Sequence, residues 1–144
     1  MVQKRKWLLI GIALLMFAAV KVVALYWWTQ RQPATEAVSA CDVRIGCTLP
    51  DGSKLQFSTP LSVKSPFDIR LDNAPSTVGQ ISVSFSMRDM DMGFNRYDLK
   101  PQADGSWLAA DVRLPLCTQA RYDYLADVRI GEKTYQVGFT AEKI

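Results

Sequence analysis

Three thioethers fall within six positions, Met87, Met90 and Met92, in the stretch Ser86-Met87-Arg88-Asp89-Met90-Asp91-Met92-Gly93. No other methionine lies beyond the N-terminal apolar segment. A thioether is a soft, uncharged donor with no proton to lose, so this grouping suits Cu(I) better than zinc, magnesium or calcium. A site built of thioethers alone would bind almost independently of pH. Methionine also fills gaps in apolar cores, and Met87 continues the alternation Ile81, Val83, Phe85, so it is read equally as core. Met90 and Met92 break away into a polar, Gly-terminated segment and are the stronger ligand candidates. Cys117 is a fourth soft donor, just before the last strand pair, that could approach the same loop. Asp89 and Asp91 are read as solvated charges, because an acid/base pair needs an enclosed site to separate its pKa values.

Residues that are missing narrow the chemistry further. The 144 residues contain no histidine, which removes the usual general base, the Ser-His-Asp and Cys-His pairs, and the imidazole sites of zinc and most Cu(II) proteins. An enzyme is not expected. Past residue 28 there are thirteen Lys and Arg against fourteen acids, a net of −1, so the basic balance of the whole chain belongs to its start. A nucleic-acid partner should be met by a basic face, and none is encoded.

The first elements to be placed are those that carry this loop. Lys4, Arg5 and Lys6 precede an apolar run from Trp7 to Trp28 broken by one charge, Lys21. As a helix the run is about 33 Å long, enough for the ~30 Å hydrocarbon layer. It is read as a membrane anchor over residues 1–28, beginning its apolar run at Trp7, N-terminus in the cytoplasm, with Tyr26, Trp27 and Trp28 in an aromatic belt at the far interface. A cleaved signal peptide shares the basic start and apolar stretch and is the competing reading. Lys21 is close enough to the outer end to snorkel; a contact with a partner's transmembrane helix is the alternative. Residues 29–40, polar and without periodicity, are expected to be a linker.

From residue 41 to 144 the pattern is that of short strands. Candidates are Asp42–Cys47, Lys54–Ser58, Phe67–Leu71, Val78–Met87, Asn95–Lys100, Trp107–Leu114 and a final hairpin. In that hairpin Tyr122, Tyr124, Ala126, Val128 and Ile130 alternate, Gly131-Glu132 turns, and Tyr135, Val137 and Phe139 follow. An all-β immunoglobulin-like sandwich of about seven strands is expected after a single transmembrane helix. The methionine loop would then lie at one tip of it. Cys41, Cys47 and Cys117 all follow the anchor, where an oxidising compartment favours disulfides. A local Cys41–Cys47 bridge would contribute about 2 kcal/mol and a bridge from either to Cys117 about 4 kcal/mol. Spacing alone does not choose between them; the short separation favours Cys41 with Cys47, leaving Cys117 free or buried.

The run Val83 to Thr140 resembles the FixH-like and YtkA-like families of membrane-anchored or exported β-sandwich proteins. The matching residues are Met87, Met90 and Met92, then Gly105 with Trp107, then Arg121-Tyr122-Asp123-Tyr124. The resemblance implies copper handling and a part in assembling haem-copper oxidases. Copper-carrying CopC-like proteins of similar build add histidine to methionine, so its absence here leaves Cu(I) as the expected ion. The expected function is Cu(I) binding through the loop by an inner-membrane protein whose domain lies in the periplasm, for delivery to a respiratory oxidase or copper transporter. The alternative is a metal-free assembly subunit that uses the same loop and the anchor as contact surfaces.

Overall fold

Helix α1 runs from Val2 to Arg31. Its interior is Leu, Ala, Val, Ile and Met with a single glycine and no proline, a composition that costs a helix little. Thirty residues give a length of about 45 Å. None of them is buried, and the helix is long and apolar enough to cross a membrane. An anchor and an export signal both meet that description. Trp7, Lys21, Trp27 and Trp28 are all exposed on it; Lys21 Nζ sits 5.2 Å from the Phe17 ring centre and the Arg31 guanidinium 3.5 Å from that of Trp27.

The computed structural model describes residues 1–31, 34–38 and 40–143. It separates into two units, Met1–Pro33 and Ala34–Ile144. Of the expected linker, Gln32, Pro33 and Ser39 lie outside the described residues.

The second unit is a curled sheet of nine strands: β1 (Thr35–Ala37), β2 (Cys47–Thr48), β3 (Lys54–Phe57), β4 (Phe67–Asp72), β5 (Ile81–Ser86), β6 (Tyr97–Pro101), β7 (Trp107–Val112), β8 (Asp123–Ile130) and β9 (Lys133–Thr140). Their order is β1-β9-β8-β5-β6-β7-β4-β3-β2. Every pairing is antiparallel except β1 with β9. β6 joins the two halves, meeting β5 through Tyr97 to Leu99 and β7 through Lys100 and Pro101.

Period-two patterning decides which face goes inward. Phe67, Ile69 and Leu71 are buried while Asp68 and Arg70 are exposed; Tyr124, Ala126, Val128 and Ile130 are buried on β8, and Tyr135, Val137 and Phe139 on β9. The curl brings the halves together over aromatic rings. Phe57 of β3 lies 5.3 Å from Phe139 of β9, and Phe67 of β4 lies 6.1 Å from Phe85 of β5. Between β8 and β9 the hairpin turns at Gly131, whose φ of 62° is the positive value that the first central residue of such a turn requires.

Two segments depart from the patterning. Asp42–Cys47, expected as a strand, is mostly a turn. The Asp42 side chain accepts the Arg44 N–H at 2.9 Å, its carbonyl accepts from Ile45 and Gly46, and Gly46 has φ 128°. A short carboxylate that satisfies its own backbone competes with the ladder, and pairing begins only at Cys47. Within the expected linker, Thr35–Ala37 pairs with Thr134 to Gln136 of β9. Nine strands thus stand where about seven are expected; β1 and β2, three and two residues long, are too short for alternation to register.

Candidate metal centre

β5 carries its inward alternation one residue past its end, to Met87, which is 2% exposed. Met87 is therefore core. The chain then doubles back at once: Met90 N–H donates to the Met87 carbonyl at 3.1 Å and Met87 N–H to the Met90 carbonyl at 3.3 Å. Asp89 takes φ 61° inside this turn, a left-handed conformation that aspartate tolerates better than most residues. A pair that exchanges both backbone bonds puts its side chains on one face, so Met90 lies beside Met87. Met90 and Met92 are half-buried and packed against the core. The expectation of a polar, unburied position for them is corrected on this point.

The far side of the loop is closed by Asn95. Its side-chain oxygen accepts the Phe85 N–H at 2.6 Å, and its amide donates to the Phe85 carbonyl at 2.8 Å and to the Gly93 carbonyl at 3.2 Å. The side-chain amide thus takes the place of a neighbouring strand at the end of β5. Gly93, with φ 73°, receives the Asp91 carboxylate on its N–H at 2.9 Å. Asp89 and Asp91 are both exposed.

Cys117 reaches this loop from the β7–β8 connection. Tyr124, 1% exposed, donates its hydroxyl to the Pro115 carbonyl at 2.8 Å and so fixes the chain two residues before the cysteine. Tyr97 hydroxyl holds both backbone groups of Arg113, at 2.9 Å and 3.3 Å. The Cys117 thiol then lies 3.8 Å from the Met90 sulfur and accepts the Gln119 N–H at 3.4 Å. Cys117 is half-buried and unbridged.

Arg121 ties the two connections together. Its guanidinium grips Asp123 through two bonds of 3.1 Å and 2.7 Å and reaches the Arg88 carbonyl at 3.4 Å. The hydrogen bonds it donates to Asp123 raise the Arg121 pKa, and the same bonds hold the Asp123 carboxyl below its ordinary value.

Cys41 and Cys47 form the disulfide, with Cα atoms 5.4 Å apart. Among the described residues no group of three or more histidine, cysteine, aspartate and glutamate side chains is placed to hold a metal ion. What converges is sulfur. Asn95, Tyr97, Tyr124 and Arg121 position it, and none of them stood out in the sequence as doing so. The tyrosines carry only the signal of alternation and aromatic content, and Asn95 is expected to open a strand that in fact begins at Tyr97. Compared with family models, with curated proteins and with solved structures, the chain matches none.

Proposed function

We propose that this protein is a membrane-anchored, periplasmic copper-handling protein that holds Cu(I) on Met90 and Cys117, with Met92 and Met87 as further donors. It serves delivery to, or assembly of, a membrane complex such as a haem-copper oxidase or a copper transporter. The observation that carries the reading is the 3.8 Å separation of the Met90 and Cys117 sulfurs. That distance is a van der Waals contact. It is also the spacing two ligands take around one ion when each metal–sulfur bond is about 2.3 Å and the angle between them tetrahedral to trigonal. Soft neutral sulfur with one thiolate selects a soft monovalent ion, and the sequence offers no imidazole to compete.

The domain is read as an immunoglobulin-like sandwich of the FixH-like or YtkA-like kind. The antiparallel β9-β8-β5 layer, the β4-β7 pairing opposite and the Tyr124 hydroxyl bonded back to the Pro115 carbonyl support that reading. Asp89 and Asp91 are exposed rather than enclosed, and the role is read as binding rather than catalysis. A metal-free assembly subunit is the second reading, favoured by Phe94, 97% exposed beside the loop.

The test is a competition titration of the full chain in lipid nanodiscs against a Cu(I) chelator under reducing conditions. Wild type should retain one Cu(I), and Met90→Leu with Cys117→Ser should lose it. Equal retention by the two would move the assignment to the metal-free subunit.

A further inference from the structure

The register of β9 separates two ends of the domain. Thr35, one residue after the second unit begins, pairs with Thr134 near the start of β9, whereas Asp123 pairs with Thr140 at its finish. Six residues of strand, about 20 Å, lie between. β5 runs antiparallel to β8 and so parallel to β9, and it delivers the methionine loop beyond the Thr140 level. The sulfur pair is therefore at the opposite end of the fold from the point where the chain arrives from α1.

The two ends differ in what they expose. Among the described residues of the second unit, the large apolar side chains left exposed are Ile45, Phe94 and Leu116, at 74%, 97% and 75%. Two of them lie on the connections that carry the sulfurs: Phe94 follows Met92 and Leu116 precedes Cys117. The turns at the arrival end carry Asp51, Asp72, Asp104 and Glu132 and expose no large apolar side chain among the described residues. Scattered surface leucines need no explanation, but two large apolar side chains flanking the sulfurs from separate connections do.

We propose that the sulfur end is a docking face for a water-soluble protein that carries Cu(I) on exposed sulfur ligands and exchanges it with Met90 and Cys117. This rests on the copper reading and names the kind of partner. Charge narrows the occupant. Arg88, Arg113, Asp89 and Asp91 are exposed on the same two connections and form no ion pair among the described residues. Two cations with two anions fit a protein rim of mixed sign; an anionic lipid surface or a nucleic acid would meet the carboxylates beside Phe94. A second copy of this chain would appear in the crosslinking below as an adduct of the chain with itself.

The experiment has two arms, both on the full chain. Phe94→Ser with Leu116→Ser removes the apolar contacts and leaves all four sulfurs. In nanodiscs it should take Cu(I) from the bicinchoninate chelate as tightly as wild type, because a small chelate needs no docking. In its own host the same variant should carry about tenfold less copper than wild type. A wild-type chain that takes nothing from the chelate defeats the copper reading itself. Equal copper in the host, with chelate loading intact, defeats the docking face alone. In the second arm a photo-crosslinking benzoylphenylalanine replaces Phe94, Leu116 or Glu132. Adducts with a water-soluble protein should form from the first two and not from the third. Adducts confined to membrane-embedded proteins, or equal from all three positions, overturn the proposal even where the serine variant has lost its chelate loading.

Discussion

Asn95 and Phe85 are joined through both backbone groups of the phenylalanine, the N–H at 2.6 Å and the carbonyl at 2.8 Å. A side-chain amide stands there where the next residue of β6 would otherwise pair. The consequence is a methionine loop closed at its base as well as at its Met87–Met90 turn. Asn95→Ala leaves two backbone groups at the end of β5 without partners. It should cost about 1–3 kcal/mol in denaturant unfolding of the full chain. Faster amide exchange should appear at Met87 to Gly93 and not in β8 or β9; a uniform increase would mean that Asn95 supports the whole fold and not the loop.

With Cys117 among the donors, copper binding must displace a thiol proton. Affinity for Cu(I) should then rise with pH, by up to about tenfold per unit while the thiol is protonated. Cys117→Ser should be weaker and nearly flat, since thioethers have nothing to lose. Parallel pH profiles for the two proteins would remove Cys117 from the site. The sloping profile is a revision of the flat one that methionines alone suggest, and it comes from the 3.8 Å contact.

Tyr124→Phe removes one hydroxyl and leaves the Pro115 carbonyl unpaired. A loss of about 0.5–1.5 kcal/mol is expected in chemical denaturation. Because Pro115 lies two residues before Cys117, the same variant should also weaken Cu(I) retention. Unchanged retention at reduced stability would show that the thiol is positioned by its own loop.

The Cys41–Cys47 bridge closes a short ring, worth about 2 kcal/mol by the loop-entropy argument. Cys117→Ser should leave the bridge intact, with no alkylatable thiol before reduction. Cys41→Ser should leave Cys47 alkylatable once the protein is denatured without reductant, and should lower the unfolding midpoint. Two alkylatable thiols in Cys117→Ser would refute the pairing.

Asp104 has its carboxyl lowered from 3.8 to about 2, first by the Ser106 hydroxyl, then by the Ser106 N–H and by Arg70. A group whose folded value is depressed adds stability that is complete above its unfolded value and is lost as pH falls toward the folded one. The contribution should fade between pH 3.8 and about 2. Asp104→Asn should flatten acid unfolding in that window and leave the profile above it unchanged. A wild-type acid limb that is the same with asparagine would dismiss the linkage.

Much of the fold was legible where burial imposes a period. Phe67–Leu71 and Lys54–Ser58 were placed to within a residue, and the last hairpin followed from five alternating apolar positions and a Gly-X turn. Asp42–Cys47 was misread because a side chain that bonds its own backbone leaves no periodic trace. β1 was missed because its three exposed residues owe their pairing to β9 and not to any pattern of their own. At the site, the methionines were visible from their spacing. The Asn95 closure was not, since an amide imitating a strand is a matter of geometry. Nor could spacing show that Cys117 meets a residue 27 positions earlier.

The strand order ends on its two shortest members, β1 and β2. A long bare edge is a template on which a second chain can pair, and it is the usual start of fibrous aggregation. Here each border offers only two or three residues, one beside a disulfide and the other in a parallel pairing. Copies of one chain at high local concentration meet constantly. Short borders let these sheets do so without zipping together.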